Sequence, residues 1–108
     1  MAAVVYLVSD LLFTSKIRET ALQLGLDVQA VRGPGEVAGA TAGARVFIVD
    51  LRRPDALDAL EAAASGARRI GFIDHERTDV MEAARSRGCV ALAKGKFSTE
   101  LPRLLSTP

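Results

Sequence analysis

The sequence predicts an α/β fold built on one parallel sheet. Three observations carry this prediction. Five short apolar runs recur along the chain, mostly β-branched or continuous rather than alternating. Segments of helical spacing separate them. No repeat, linker or low-complexity stretch interrupts the series. Continuous apolar strands are the kind covered by helices on both faces.

The runs are Val4–Val8, Val28–Val31, Val46–Val49, Ile70–Ile73 and Cys89–Ala93. After the first, Phe13, Ile17, Ala21 and Leu24 fall on one helix face, and Gly25 is a stop signal. After the second, the stretch from Pro34 to Ala44 holds Gly35, Gly39 and Gly43. Each mid-helix glycine costs about 1 kcal/mol relative to alanine, so a short or mobile helix is expected there. Leu57, Leu60 and Ala64 follow Pro54, and Gly66 closes that helix. Thr78 is the expected N-cap of the fourth helix, with Val80, Met81 and Ala84 facing inward and Gly88 ending it. The last segment, Ser98 to Pro108, is expected to be short, because Pro102 is tolerable only near a first turn. Each crossover is long enough to return the chain to a parallel neighbour, and such crossovers are right-handed. The expected architecture is a flavodoxin-like (βα)5 three-layer sandwich in the order 2-1-3-4-5, with residues 1–108 forming one domain.

Composition excludes several classes. About half the residues are hydrophobic (49%) and a quarter (25%) are charged, which is ordinary for a globular chain and wrong for disorder. The net charge is +1 and the cations are scattered, so no strong field favours nucleic acid or an acidic membrane. No run approaches the roughly 20 apolar residues that span a bilayer. The apolar start, Met1 to Ser9, lacks the basic region and length of a signal peptide, so the expected location is cytoplasmic. Cys89 is the one cysteine, which leaves no internal disulfide or multi-cysteine metal site; a buried small hydrophobe is its expected role.

In open parallel sheets, ligands meet the carboxyl ends of strands at the topological switch point. Strand 1 ends in Ser9-Asp10, strand 3 in Asp50, strand 4 in Asp74-His75, and strand 5 in Lys94. The expected order makes these strands consecutive neighbours, so the groups converge on one edge. Facing carboxylates repel unless a cation sits between them, and Mg²⁺ suits two carboxylates plus waters. A lysine at the adjacent strand end is a point charge suited to a phosphoryl oxygen. Each aspartate taken singly is also a common loop or cap residue.

The order and spacing of these residues resemble the receiver domain of two-component signalling. "VVYLVSD" is similar to the first receiver strand with its terminal acidic pair. "VFIVDLRRP" is similar to the third, in which the phosphoacceptor aspartate is followed four residues later by proline. "ALAKGKFSTEL" resembles the fifth strand with its lysine. The likeness covers nearly the whole chain. It implies Asp50 as phosphoacceptor, Asp10 and Asp50 as Mg²⁺ ligands with the backbone carbonyl of Arg52, and Lys94 on the phosphoryl group. It also implies signalling through docked protein partners, a histidine kinase among them, with the docking face between Thr78 and Leu105.

The chain departs from the receiver pattern at several positions. Ser9 replaces the first acidic residue, Asp74 stands at the expected hydroxyl position, and Ala91 at the expected aromatic switch. Gly95 replaces the proline after the lysine, so no cis peptide is expected there. The Asp-Gly pair is absent from "PDALDAL", and the last helix is expected to be short. Two unit charges about 4 Å apart interact by about 4 kcal/mol at an effective dielectric near 20. Asp74 would therefore oppose phosphorylation of Asp50 unless a cation compensates it. The expectation is a receiver-like domain whose phosphorylation switch is weakened or lost. Arg52 or Arg53 could pair with the acidic cluster in a metal's place, although solvated surface arginines are the ordinary expectation.

One rival reading comes from "GPGEVA", Gly33 to Ala38, which fits the Gly-x-Gly-x-x-Ala dinucleotide fingerprint after a strand. It makes a small nucleotide-binding domain the alternative, built on the Gly33-Pro34-Gly35 turn. Against it, the fingerprint follows the second strand, Pro34 stiffens the turn, and the chain lacks room for two mononucleotide-binding halves. His75, the one histidine, has no partner for a zinc site, and neither Ser9 nor Ser98 sits in a nucleophile elbow.

Overall fold

Five βα units follow one another in the computed structural model, which describes residues 2–106. They are β1 (Val4–Leu7), α1 (Leu11–Gln23), β2 (Val28–Ala30), α2 (Pro34–Thr41), β3 (Val46–Asp50), α3 (Ala56–Ala62), β4 (Arg68–Ile73), α4 (Thr78–Arg85), β5 (Cys89–Ala93) and α5 (Lys94–Ser106). The sheet is parallel throughout, in the order β2-β1-β3-β4-β5. The register sets Leu7 of β1 beside Val49 of β3, and Asp50 beside Phe72 of β4. The carboxyl ends of β1, β3 and β4 are thereby level with one another.

Successive strand residues point to opposite faces, and both faces are covered. Val5, Leu7, Phe47, Val49 and Ile73 pack on one side with Val37, Leu60, Met81 and Ala84 of α2, α3 and α4. Val4, Tyr6, Val46, Ile48, Ile70 and Phe72 pack on the other with Ile17 and Ala21 of α1 and Phe97, Leu101, Leu104 and Leu105 of α5. This division explains why the central strands read as unbroken apolar runs. On the α1–α5 side the rings of Phe13 and Phe97 stack on Phe72 at centroid distances of 4.5 and 4.6 Å. Such contacts add to the burial itself and fix both helices against β4.

Helix termini follow local chemistry. The Asp10 carboxylate accepts from the backbone N–H groups of Leu12 (2.9 Å) and Phe13 (3.2 Å), satisfying donors that α1 leaves open. Gly25 and Gly88 adopt φ of +73° and +78° just beyond α1 and α4, a conformation that side chains with a Cβ disfavour. The fourth helix starts one residue earlier than expected: Arg77 holds the cap position, and Thr78 is already helical. The glycine-rich second helix forms, over eight residues.

The last helix corrects its expectation. It spans 13 residues and carries Pro102 well inside it. β5 runs directly into α5 at Lys94, so the proline falls in the helix interior rather than near its start. Burial of Phe97, Leu101, Leu104 and Leu105 on the sheet outweighs the bond that Pro102 cannot donate. Thr107 and Pro108, part of the expected last segment, lie outside the described residues. Among the described residues no peptide bond is cis, Gly95 included. No described helix is long and apolar enough to cross a membrane.

Candidate functional site

The site is built by the ends of four neighbouring strands, β1, β3, β4 and β5. Asp50 is the last residue of β3 and is buried, with 4% of its surface exposed. Asp10 follows β1 by three residues and caps α1. Asp74 follows directly on β4, and Lys94 opens α5 at the end of β5. These side chains lie at one sheet edge, as the strand order leads one to expect.

Arg52 occupies the place between the two aspartates. Its Nε donates to Asp50 Oδ1 (2.9 Å) and its Nη2 to Asp50 Oδ2 (2.7 Å), a two-pronged contact that matches the planar guanidinium to the carboxylate. Nη2 also donates to Asp10 Oδ2 at 3.4 Å. The Arg52 backbone N–H donates to Asp50 Oδ1 (3.0 Å), closing a tight turn on the aspartate side chain. Leu51 makes this return possible. Its N–H joins the sheet at the Phe72 carbonyl (3.0 Å), and its buried side chain lies over Gly71, so the next residue emerges on the Asp50 side. Hydrogen bonding to Asp50 raises the pKa of the Arg52 guanidinium further above its ordinary high range, despite partial burial. Asp10 is held below the ordinary carboxylate range, first by the Phe13 N–H and then by Arg52.

Arg53 forms a second pairing at the same edge. It bonds Asp55 through Nε (2.9 Å) and Nη2 (3.0 Å), and its Nη1 donates to the Ser9 hydroxyl at 2.8 Å. Ser9, which stands where the receiver pattern has an acidic residue, is thus bound to a cation. The solvated arginines that the sequence suggests as the ordinary case are replaced by two arginines folded onto the acidic edge. The signal for this was the pair "RR" directly after Asp50: a residue two beyond a strand-end aspartate can turn back on it.

Lys94 pairs with Asp74, Nζ to Oδ1 at 2.8 Å. That bond, with the attraction of Lys94, holds Asp74 below the ordinary carboxylate range. The compensating cation that Asp74 requires is therefore Lys94 itself. Arg52 also contributes to lowering Asp74, which places the two pairs within electrostatic reach of each other. Arg52, Arg53 and Lys94 together answer Asp10, Asp50, Asp55 and Asp74.

The donor set leaves little for a divalent ion. Both Asp50 oxygens accept from Arg52, one Asp10 oxygen is committed to the α1 cap, and the other faces the guanidinium. Among the described residues no group of three or more His, Cys, Asp or Glu side chains could hold a metal ion. Arg52 enters the site by its backbone N–H and its guanidinium.

Other candidates fall outside this edge. At the Gly33-Pro34-Gly35 turn, the Glu36 carboxylate accepts from the Arg32 N–H at 3.2 Å and puts its own negative charge in the first turn of α2. A phosphate would meet repulsion there. Cys89 is buried, and burial pushes its thiol up to about 12, in keeping with a packing role. Ala91 is buried at the expected aromatic position and has no rotamer to switch. His75 is exposed beside Glu76.

No protein-family model and no curated protein matches the chain. Among solved structures it is similar to the solution NMR structure of a de novo designed Rossmann 2x3 fold protein. The TM-score is 0.71 at 18% identity, covering 97% of this chain and 90% of that one. The class defined by topology and comparison together is the flavodoxin-like (βα)5 fold. The likeness is one of fold alone.

Proposed function

We propose that the chain is a receiver-like module of two-component, phosphorelay-type signalling that acts by docking to protein partners, with the phosphorylation switch at Asp50 weakened or lost. One observation carries the reading: Asp10 and Asp50, from the ends of adjacent strands, share a single pocket, with Arg52 bound to both. The convergence supports the receiver resemblance. The occupant of the pocket supports loss of the switch. Asp50 as a nucleophile needs a free oxygen facing the phosphodonor, and both of its oxygens are bonded to a cation that never deprotonates. Lys94, the group suited to a phosphoryl oxygen, is spent on Asp74.

Docking is supported by the side chains left in water. Leu11 and Leu12, at the start of α1, are 81% and 82% exposed. They stand next to Asp10 and beside a cleft of about 280 Å³ lined by Leu12, Phe13, Lys16 and Ser98. Between Thr78 and Leu105, Val90 is the large apolar residue left exposed. The docking face of this reading therefore includes the start of α1, beyond the region that the resemblance alone implies.

The test has two arms. Incubation with acetyl phosphate and Mg²⁺, followed by intact mass measurement, is expected to give labelling far below one phosphoryl group per chain. Stoichiometric acyl phosphate on Asp50, absent from Asp50→Asn, would overturn the loss of the switch. NMR titration against the phosphotransfer domains of a panel of histidine kinases is expected to show saturable shifts around Leu11, Leu12 and Lys16 with at least one of them. No saturable shift with any of them would overturn the docking reading.

A further inference from the structure

We propose that Arg52 is a built-in counter-cation that stands in the place of a divalent ion, so that the Asp10–Asp50 pocket is neutralised by the chain itself and takes no Mg²⁺ while the guanidinium is present. The inference deepens the functional reading above by assigning how its pocket is controlled, but it rests on the geometry of that pocket rather than on signalling.

Three features carry it. First, the guanidinium sits where a bridging ion would. It reaches Asp50 Oδ2 at 2.7 Å and Asp10 Oδ2 at 3.4 Å through the same nitrogen, Nη2. A hard divalent ion joins two carboxylates by that same kind of shared contact, with waters completing its shell. Second, Arg52 is anchored for the role. The hydrogen bond from its backbone N–H to Asp50 Oδ1 and the burial of Leu51 over Gly71 hold its backbone at the pocket, within reach of both carboxylates. Third, a second guanidinium stands at the same edge: Arg53 Nη1 donates to the Ser9 hydroxyl at 2.8 Å, and Arg53 lies within electrostatic reach of Asp50. A divalent ion entering this pocket would have to break the two-pronged Arg52–Asp50 contact and then lie within a few ångströms of a permanent positive charge.

The charge, rather than the shape of the pocket, is thus what keeps a divalent ion out. Removing the charge should uncover a latent site made of Asp10 and Asp50. This is tested by titrating Mg²⁺ into the wild-type chain, Arg52→Ala and Arg52→Lys, following amide NMR shifts of Asp10, Asp50 and their neighbours. Thermal melting with and without Mg²⁺ is measured in parallel. Wild type and Arg52→Lys are expected to show no saturable shift at millimolar Mg²⁺. Arg52→Ala is expected to gain about a hundredfold in affinity, the order set by removing a unit charge from a partly exposed site. That gain is expected to vanish in Arg52→Ala/Asp10→Asn. Should two uncompensated carboxylates unfold Arg52→Ala, Arg52→Gln keeps a hydrogen-bonding side chain without the charge and is expected to show the same gain. Saturable Mg²⁺ binding by the wild type at Asp50 would overturn the proposal, as would charge-removed variants that bind no better than wild type. Because the readout is cation binding and not phosphoryl transfer or partner docking, this inference and the functional reading can fail separately.

Discussion

At the residue scale, the positions of the polar groups were legible, whereas the sequence allows an arginine in a metal's place without singling it out over a solvated one. Asp10, Asp50, Asp74 and Lys94 each follow an apolar run, and the rule that parallel strands present their carboxyl ends at one edge places them together. The pairing depends on side-chain torsions after the strand end, on which hydrophobic spacing is silent. Arg52 and Arg53 both follow Asp50, yet one turns back to Asp50 and the other reaches Asp55 and Ser9. Thr41 is a second case that the sequence did not signal. It is fully buried, donates from Oγ1 to the Val37 carbonyl at 2.6 Å, and accepts from the Ala64 N–H at 2.9 Å. It ties α2 to the turn after α3. Thr41→Val keeps the shape and leaves the Ala64 N–H without its acceptor, so a loss of about 1–3 kcal/mol is expected in urea unfolding. Thr41→Ser keeps both bonds and is expected to lose less.

At the element scale, strands and the first four helices were read close to their observed bounds because tertiary packing and local pattern agree. The fifth helix was misread because they conflict: Pro102 argues for a break, and four buried side chains on the sheet argue for continuation. The loop after β3 shows a different kind of agreement, between one strand and its neighbour. A Cβ built on Gly71 would lie 2.7 Å from Leu51 Cγ and 2.8 Å from Cδ1. The glycine in β4 thus gives room for the side chain that anchors the Arg52 turn. Gly71→Ala should force Leu51 to shift and reduce stability by about 1–3 kcal/mol. Combined with Leu51→Ala, the effects are expected to be clearly less than additive, as direct contact requires; additivity in a double-mutant cycle would rule out the contact.

At the scale of the whole molecule, a five-stranded parallel sheet whose central strands are buried on both faces specifies the topology with little ambiguity. A designed protein of 18% identity reaches the same architecture over 97% of this chain, so the architecture alone carries no activity. The functional reading rests instead on the polar edge, where Arg52 is bonded to Asp50 at the end of β3 and to Asp10 just beyond β1. The most direct test of that claim is a crystal structure of the wild-type chain grown with Mg²⁺ and beryllofluoride. The expected result is the Arg52 guanidinium between Asp10 and Asp50, with no ion coordinated by the two carboxylates. An octahedral Mg²⁺ bridging Asp10 and Asp50, with Arg52 turned out to solvent, would contradict the account.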